Sequence, residues 1–354
     1  MTDQVAAADF SARASGRVNL IGEHTDYNGG MVLPAALSVG LEVTLSPCPE
    51  QTANIESTGH DETVMRPLSE PASGHWSDTA LGALREAQSL GLLDGGARLS
   101  IRSTIPAGSG LSSSAALIVA ILKAARDAHG SGPNDVDLAI AARRVENDFI
   151  GVPCGIMDQM AVALATPGTA MALDTKSLDY SLVDLPADHA MVVVHSGVTR
   201  KLTEGRYKER KLECDEAKQH FGTDDLCLLD PAVIENSSLT GGAKLRAHHC
   251  ATEHLRVLSA VEAIMAGDVA QLGRLMNESH VSMRDFFEMS LPPIDALVDS
   301  AVDLGAAGAR LTGGGFGGCI VACVANEKRE DWLGELLSQH PDARFIDAVS
   351  SRLA

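Results

Sequence analysis

The sequence predicts a two-domain protein that contains both helices and strands. The chain has 354 residues, and a single domain typically holds roughly 100–200 residues, so the length fits two domains with a cleft between them. Apolar residues alternate from Leu99 to Ile105, which is typical of a strand, whereas residues 115–122 are apolar on every side, which is typical of a buried helix. Met191–His195 is predicted to be a second buried strand.

The composition is that of an ordinary globular protein. Hydrophobic residues make up 45% of the chain and charged residues 21%, and no run of about 18 apolar residues indicates a membrane span. The first twenty residues lack the basic and apolar regions of a secretory signal, so we expect a cytoplasmic protein. The net charge of −19 argues against a nucleic-acid partner, because phosphate backbones are bound by clustered lysine and arginine.

The seven cysteines show no paired CxxC spacing, which favours reduced thiols in a cytosolic protein. Cys319 and Cys323 would share one face of a strand, and Cys250 and His254 could meet on a helix. Both pairs fit packing better than metal ligation. We therefore expect neither disulfides nor structural zinc.

The segment Ile101–Ala125 joins a strand, a loop rich in glycine and serine, and the start of a helix. Gly108 and Gly110 let the backbone approach a ligand closely, and Ser112–Ser114 offer caps and hydroxyls at the helix N-terminus. Because the helix that follows is buried, its N-terminus is fixed and dry, which suits a phosphate. Taken alone, the loop fits a serine-capped core helix without a ligand at least as well, so its interpretation depends on other motifs.

A dense set of polar side chains lies near the N-terminus. Glu23, His24, Asp26, Tyr27 and Asn28 fall within six positions. Closely spaced carboxylates and an imidazole suit a site that reads the hydroxyl pattern of a sugar or polyol. A solvated polar loop that binds nothing is the alternative.

Two later stretches carry candidate functional groups. Asp158 stands among apolar residues shortly after Gly155, so it is either a helix cap or a buried functional acid. Five of the six residues 313–318 are glycine, and a phosphate or a sugar-binding loop close by would explain the absent side chains; the alternative is a flexible hairpin. The chain contains no GxxxxGK[ST], HRD or DFG motif, which argues against a P-loop NTPase and a protein kinase.

Three motifs resemble those of the GHMP small-molecule kinases. They are GRVNLIGEHTDYNGG at 16–30, PAGSGLSSSAAL at 106–117 and LTGGGFGGC at 311–319. The first resembles the sugar signature of galactokinases, and similar stretches follow in the same order over nearly the whole chain. The resemblance implies the α+β, two-domain GHMP kinase fold. Its N-terminal domain, like ribosomal protein S5, would cover residues 1–180, its C-terminal ferredoxin-like domain would cover 181–354, and the active site would lie in the cleft between them.

The resemblance also implies an activity and a set of site residues. The activity is transfer of the γ-phosphoryl group of ATP to the anomeric hydroxyl of D-galactose, which gives α-D-galactose 1-phosphate. Asp158 would be the catalytic carboxylate with Arg17 as its cationic neighbour, and Ser114 and Glu146 would hold Mg²⁺. The residues implied to bind sugar hydroxyls are Glu23, His24, Asp26, Gly155 and Tyr207. Those implied to bind ATP are Trp76, by the adenine, and, around the phosphates, Pro106, Ala107, Gly108, Ser109, Gly110, Leu111, Ser112, Ser113 and Ser114.

The chain departs from the family pattern at two positions, and three alternatives stay open. Ser15 stands where proline is usual, and Ile118 stands where glutamate is usual near the nucleotide site. The alternatives are a kinase for a related sugar such as N-acetylgalactosamine or galacturonate, a galactokinase-like sensor that binds sugar without catalysis, and a kinase of the mevalonate or homoserine type. The intact serine loop and Asp158 favour an enzyme, and GEHTDYN favours galactose. We expect a monomer with no nucleic-acid or membrane partner.

Overall fold

The chain folds into two units, each built from separate stretches of sequence. The computed structural model describes residues 8–198 and 204–351. Among these, the first unit comprises 8–16, 39–106 and 112–164, and the second comprises 17–38, 107–111, 165–198 and 204–351. Two segments that carry predicted site residues, 17–38 and 107–111, thus group with the C-terminal half of the chain. The domain boundary at residue 180 stays a prediction.

Strands and helices both contribute to each unit, which confirms the predicted α+β class. The strands in the described residues are β1 (Phe10–Asn19), β2 (Met31–Val32), β3 (Pro34–Cys48), β4 (Thr52–Ser57), β5 (Val64–Pro67), β6 (Gly96–Ser103), β7 (Thr169–Asp174), β8 (Tyr180–Asp184), β9 (His189–His195), β10 (Gly308–Thr312), β11 (Cys319–Ala325) and β12 (Arg344–Ser350). The α-helices there are α1 (Asp78–Ser89), α2 (Ser113–His129), α3 (Asp135–Arg144), α4 (Met157–Leu164), α5 (Glu204–Phe221), α6 (Pro231–Glu235), α7 (Gly241–Ala266), α8 (Val269–Asp285), α9 (Pro292–Asp303) and α10 (Arg329–Gln339).

The first unit packs three helices against the buried helix α2. β3 pairs antiparallel with β6 from Leu41 onward, β6 pairs in parallel with β4, and β4 pairs antiparallel with β5. Helices α1, α3 and α4 all contact α2, and every residue of 115–122 except Leu117 is buried. The predicted buried helix is confirmed, and Ile118 lies fully inside it. The N-terminus of α2 is therefore fixed by the core of this unit.

The second unit is built on a four-stranded antiparallel sheet in the order β10-β11-β9-β12. The predicted strand at Met191–His195 is confirmed within β9, where Ala190–Val194 are fully buried. Helices α8 and α9 pack on β10, and α7 packs on both α5 and α8. Thr312 pairs with Cys319 at the end of β10 and the start of β11, so the glycine-rich stretch 313–318 forms the connection of this hairpin. No helix in the described ranges is both long and apolar enough to cross a membrane.

A buried ion pair fixes the chain before α1. Arg66 and Asp78 are both buried, and the Arg66 guanidinium donates to the Asp78 carboxylate. The other Asp78 oxygen accepts the backbone N–H of Gly74 at 2.7 Å and of His75 at 3.0 Å. Burial alone would raise the pKa of Asp78, but the hydrogen bonds from Arg66 and from the backbone N–H groups of Ser73 and Gly74 lower that pKa below its usual value. The segment that carries Trp76 is therefore held by one carboxylate.

We expect Asp78→Asn to lower the free energy of unfolding by about 2 kcal/mol near neutral pH, because the buried Arg66 would keep only the more exposed carboxylate of Glu70 as its counter-charge. Since the pKa of Asp78 is lower in the folded than in the unfolded protein, its stabilisation is present above about pH 4 and declines as the pH falls through the folded value. Urea unfolding of both proteins along a descending pH series measures this. Asp94→Asn, at an exposed carboxyl, is the control; a loss that persists undiminished in acid would contradict the assignment.

Candidate active site

The loop at 106–112 leads into a helix N-terminus without a side-chain cap. Gly108, Gly110 and Ser112 have φ angles of 70°, 75° and 64°. The predicted serine cap is wrong: no side-chain hydrogen bond caps α2 at Ser112, whose left-handed backbone differs from the extended conformation typical of a capping residue. The buried Ser112 Oγ has no hydrogen-bond partner in the described part of the chain. The first N–H groups of α2 therefore remain open to the acceptors of a ligand.

Arg17 contacts the part of this loop that belongs to the second unit, residues 107–111, and Arg17 belongs to the same unit. Its Nη1 donates to the carbonyl of Gly110 at 2.8 Å, and its backbone N–H donates to the carbonyl of Leu111 at 3.2 Å. The carbonyl of Ser109 accepts the thiol of Cys319 at 3.5 Å. Arg17 is itself buried, so a permanent positive charge lies against the loop. The role of Arg17 beside Asp158 stays a prediction. The predicted ATP residues divide into exposed Pro106, Ala107, Gly108 and Ser113, half-buried Gly110 and Ser114, and buried Ser109, Leu111 and Ser112.

Ser114, Glu146 and Asp158 come together in the first unit. Glu146 lies in a π-helical turn over Val145–Ile150, where it is hydrogen-bonded by the Ser114 hydroxyl and by the side-chain amide of Gln159. Burial raises the pKa of Glu146, and the nearby charge of Asp158 adds to this, although both hydrogen bonds oppose it. A cation bound nearby would stabilise the charge of Glu146, which burial and the second carboxylate disfavour.

These oxygen groups fit Mg²⁺. Mg²⁺ prefers one or two carboxylates together with phosphate oxygens and water, rather than a cage made of protein alone. In the described residues no three His, Cys, Asp or Glu side chains form a group that could hold a metal ion. Asp158 lies half-buried in the first turn of α4, and Gly155 is buried just before that helix.

Residues 17–30, which we call the signature segment, are anchored by a buried ion pair. Glu23 is 1% exposed and Arg310 is fully buried, and their charged groups are in direct contact. Glu23 Oε1 also accepts the N–H of Gly313 at 2.9 Å. The pair therefore ties the signature segment both to β10 and to the glycine-rich hairpin loop. Burial raises the pKa of Glu23 even though Arg310 and the Gly313 N–H act against it.

A second buried carboxylate shares the same guanidinium. Glu253 of α7 lies 3.6 Å from Arg310 and accepts the backbone N–H of Gly22 at 3.0 Å. Its other oxygen accepts Arg256 Nε at 2.7 Å. Burial would raise the pKa of Glu253, but Arg256 and Arg310 bring it down to about 2. Of the two carboxylates, Glu253 is thus the one that is firmly charged.

Four rings, His24, Tyr27, Tyr207 and Phe287, form what we call the aromatic cluster. His24 stacks on Phe287 with ring centroids 4.1 Å apart, and its Nδ1 lies 2.6 Å from the Tyr27 hydroxyl. The Tyr207 ring centroid is 5.4 Å from that of His24. The φ angle of His24 is +61°, a conformation that persists in a non-glycine residue only when its surroundings hold it. Two predicted sugar residues, His24 and Tyr207, are thus brought together.

Asp26 and Trp76 complete the predicted set. Asp26 is half-buried, and its charge adds to the effect of burial in raising the pKa of Tyr27. Trp76 lies parallel to His60, with ring centroids 4.0 Å apart, and its Nε1 is buried without a hydrogen-bond partner in the described ranges. The assignment of Trp76 to the adenine stays a prediction.

Sequence reasoning missed Arg310, Glu253 and Phe287. Arg310 gave a signal, since it interrupts the apolar strand GARLT directly before the glycine-rich loop and arginine is seldom fully buried without a partner. Glu253 gave none, because its partners come from distant parts of the chain. Phe287 looked like any core aromatic residue.

Family models match three regions of the chain. The GHMP kinase N-terminal domain matches residues 78–166, the GHMP kinase C-terminal domain matches 260–340, and the galactokinase galactose-binding signature matches 3–47. Among solved structures, Lactococcus lactis galactokinase complexed with galactose is 29% identical, with a TM-score of 0.92 over 98% of this chain and 94% of that one.

More distant structures share the fold. The mevalonate kinase of Methanococcus jannaschii is 18% identical, with a TM-score of 0.72 over 99% of this chain and 100% of that one. The phosphomevalonate kinase of Streptococcus pneumoniae is 14% identical, with a TM-score of 0.70 over 96% and 98%. Fold and matched regions together define a small-molecule kinase of the GHMP type. The galactose-binding signature narrows the class further: the chain belongs to the galactokinases, a family of ATP-dependent sugar kinases.

We expect Arg310→Met to lower the free energy of unfolding by about 3 kcal/mol, because it leaves Glu23 buried without its counter-charge and leaves Glu253 with Arg256 alone. Urea unfolding followed by circular dichroism measures the loss. Arg274→Met, at an exposed position of α8, is the matched control and should change stability by less than about 0.5 kcal/mol. Equal losses in the two variants would rule out the ion network as an anchor.

Proposed function

We propose that this protein transfers the γ-phosphoryl group of ATP to the anomeric hydroxyl of D-galactose and releases α-D-galactose 1-phosphate. The observation that carries the proposal is the match of residues 3–47 to the galactokinase galactose-binding signature. The structural similarity to a galactokinase complexed with galactose supports the proposal. The matched region contains Glu23, His24 and Asp26; the ion network holds Glu23 in place, and the aromatic cluster holds His24.

The sugar site would combine carboxylate acceptors with ring and backbone donors. Asp26 and Glu23 offer acceptors for hydroxyl protons, while His24, Tyr207 and the backbone of Gly155 complete the set. Because the signature segment is tied down by buried hydrogen bonds, its polar groups are placed before the sugar arrives. A site with fixed polar groups rejects a sugar whose hydroxyls cannot satisfy them.

The phosphates of ATP would lie at the loop 106–114. The open N–H groups at the start of α2 would donate hydrogen bonds to the phosphate oxygens, and the helix dipole adds positive potential there. Arg17 holds the loop carbonyls and contributes its charge. This arrangement would hold ATP in a fixed position. Phosphoryl transfer needs such positioning because the attacking and leaving oxygens must lie in line.

Ser114 and Glu146 would hold Mg²⁺, which when bound supplies positive charge to the phosphate oxygens. The Asp158 carboxylate would accept the proton of the anomeric hydroxyl as this oxygen attacks the γ-phosphorus, and the bond from that phosphorus to the leaving ADP oxygen breaks. Arg17 would stabilise the charge that develops on the transferred group. A cytoplasmic monomer without nucleic-acid or membrane partners stays the prediction of the sequence.

The first test is a substrate panel. ADP release with MgATP is measured against galactose, glucose, N-acetylgalactosamine, galacturonate and mevalonate, and we expect galactose to have the highest kcat/KM. A lead for one of the substituted sugars would redirect the substrate assignment. Galactose binding without turnover of any sugar would identify a sensor instead of an enzyme.

Asp158→Asn is expected to lower kcat by about a thousandfold, because the amide cannot take the hydroxyl proton. The dissociation constant for galactose, measured by calorimetry, should stay within about a factor of three, since the amide keeps the shape and part of the hydrogen bonding. Asp148→Asn, at an exposed carboxylate in the π-helical turn, serves as the control. Turnover like that of the unmodified protein would exclude Asp158 from the chemistry.

Asp26→Ala is expected to raise the dissociation constant for galactose by about tenfold or more, because a sugar hydroxyl would lose a charged acceptor. The affinity for MgATP should be unchanged, and calorimetry with each ligand separates the two effects. Asp179→Ala, an exposed acid next to β8, is the control. An unaltered galactose affinity in Asp26→Ala would remove this residue from the sugar site.

A further inference from the structure

Arg246 on α7 is 1% exposed, and buried arginine needs partners for its charge and its N–H groups. Its Nε donates to Glu213 Oε2 at 2.8 Å. One terminal nitrogen donates to the backbone carbonyl of Phe286, and the other donates to the carboxylate of Glu288. A single planar guanidinium thus bridges two separate segments, a geometry that a lysine ammonium group does not reproduce.

The first of these segments is α5, which carries Tyr207. Glu213 accepts both Arg246 and Arg210, the latter at 2.7 Å, and Arg210 lies about one turn after Tyr207 on the same helix. Of the α5 side chains that the structure describes, only those of Cys214 and Ala217 are buried. Because apolar burial is small, polar contacts hold this helix in place, and the ion pair of Glu213 with Arg246 is one of them beside the hydrogen bond from Lys218 to the carbonyl of Tyr27.

The second segment is residues 286–289, which we call the strap. The ring of Phe287 in the strap stacks on His24. The carbonyl of Met289 accepts the N–H of Phe316 at 2.7 Å, which joins the strap to the glycine-rich hairpin loop. Glu288 has a φ angle of +52°, so its backbone is strained and needs the contact with Arg246 to persist.

We propose that Arg246 is a positioning residue for the sugar site. Its guanidinium fixes α5, which carries Tyr207, and the strap, on which His24 stacks. In this way Arg246 sets the affinity for galactose. The inference rests on the proposed function. It assigns a role in substrate affinity to Arg246 through two elements, the helix that carries Tyr207 and the strap on which His24 stacks.

Misplacing both rings should weaken sugar binding more than it slows the chemical step. A displacement on the order of 1 Å in a positioning group can cost as much as a hundredfold in activity. The hydrogen bonds that hold the loop at 106–112 come from Arg17 and Cys319, which lie outside the strap and α5 in the sequence, so MgATP should bind as before. A purely structural role would instead lower thermal stability and weaken both substrates together.

The test uses Arg246→Lys and Glu288→Gln in the full-length protein. Glu288 is half exposed, and its amide variant removes one charge of the network at nearly constant shape. We expect KM for galactose to rise about tenfold in both variants, with kcat within about threefold and KM for MgATP within about twofold. Arg284→Lys is the matched control, since Arg284 pairs with the adjacent Asp285 at an exposed position.

A folded variant with the KM for galactose of the unmodified protein would overturn the proposal, and so would an equal rise in both KM values. If Arg246→Lys does not fold, Glu288→Gln and Glu213→Gln decide the matter. Failure of the unmodified protein to turn over galactose would overturn the proposed function itself, and this outcome is distinct because it appears before any variant is made.

Discussion

The site depends on a single buried guanidinium that stands between two buried carboxylates. Taking ions out of water costs several kcal/mol each unless they are paired and hydrogen-bonded. Arg310 supplies the charge for Glu23 and Glu253, and the backbone N–H groups of Gly22 and Gly313 complete the coordination of the two acids. These groups come from the signature segment, α7, β10 and the hairpin loop. The network is satisfied only when all four are in place, so folding this unit and assembling its polar site are one event.

The glycine-rich hairpin loop shows how the same constraint selects side chains. A Cβ at Gly315 would lie 2.7 Å from Met289, and φ there is +79°, so both space and backbone demand glycine. At Gly314 a Cβ would lie 3.6 Å from the Tyr207 ring, which is an ordinary contact. Glycine is therefore not strictly required at this position, although it leaves the Tyr207 ring close to the loop. The loop is therefore a hairpin whose backbone is held by Glu23 and Met289.

Local patterns predicted what local forces determine. The buried α2 and the strand within β9 follow from uninterrupted apolar runs. The polar side chains after Gly22 fit a site that reads sugar hydroxyls, and this site stays a prediction. The serine cap failed because Ser112 adopts a left-handed backbone, which depends on how the whole loop is held. The pairing of Arg310 with Glu23 and Glu253 could not be predicted, since nothing in a sequence gives the partner of a charge on another element. The grouping of separate stretches of sequence into each unit could not be predicted from local patterns for the same reason.

Helix α7 shows why such long-range partners gather in one place. Arg246, His249 and Glu253 recur at helical spacing and all are buried, so they form a polar face on a helix whose other buried residues are apolar. His249 Nε2 lies 3.2 Å from the carbonyl of Glu23, and burial lowers the pKa of this imidazole to about 4, which keeps it neutral. An apolar face would pack as well but would leave the backbone groups of Gly22 and Glu23 unsatisfied, at a cost of about 1–3 kcal/mol each. The conformation of the signature segment therefore follows from the polar face of α7 as much as from its own residues.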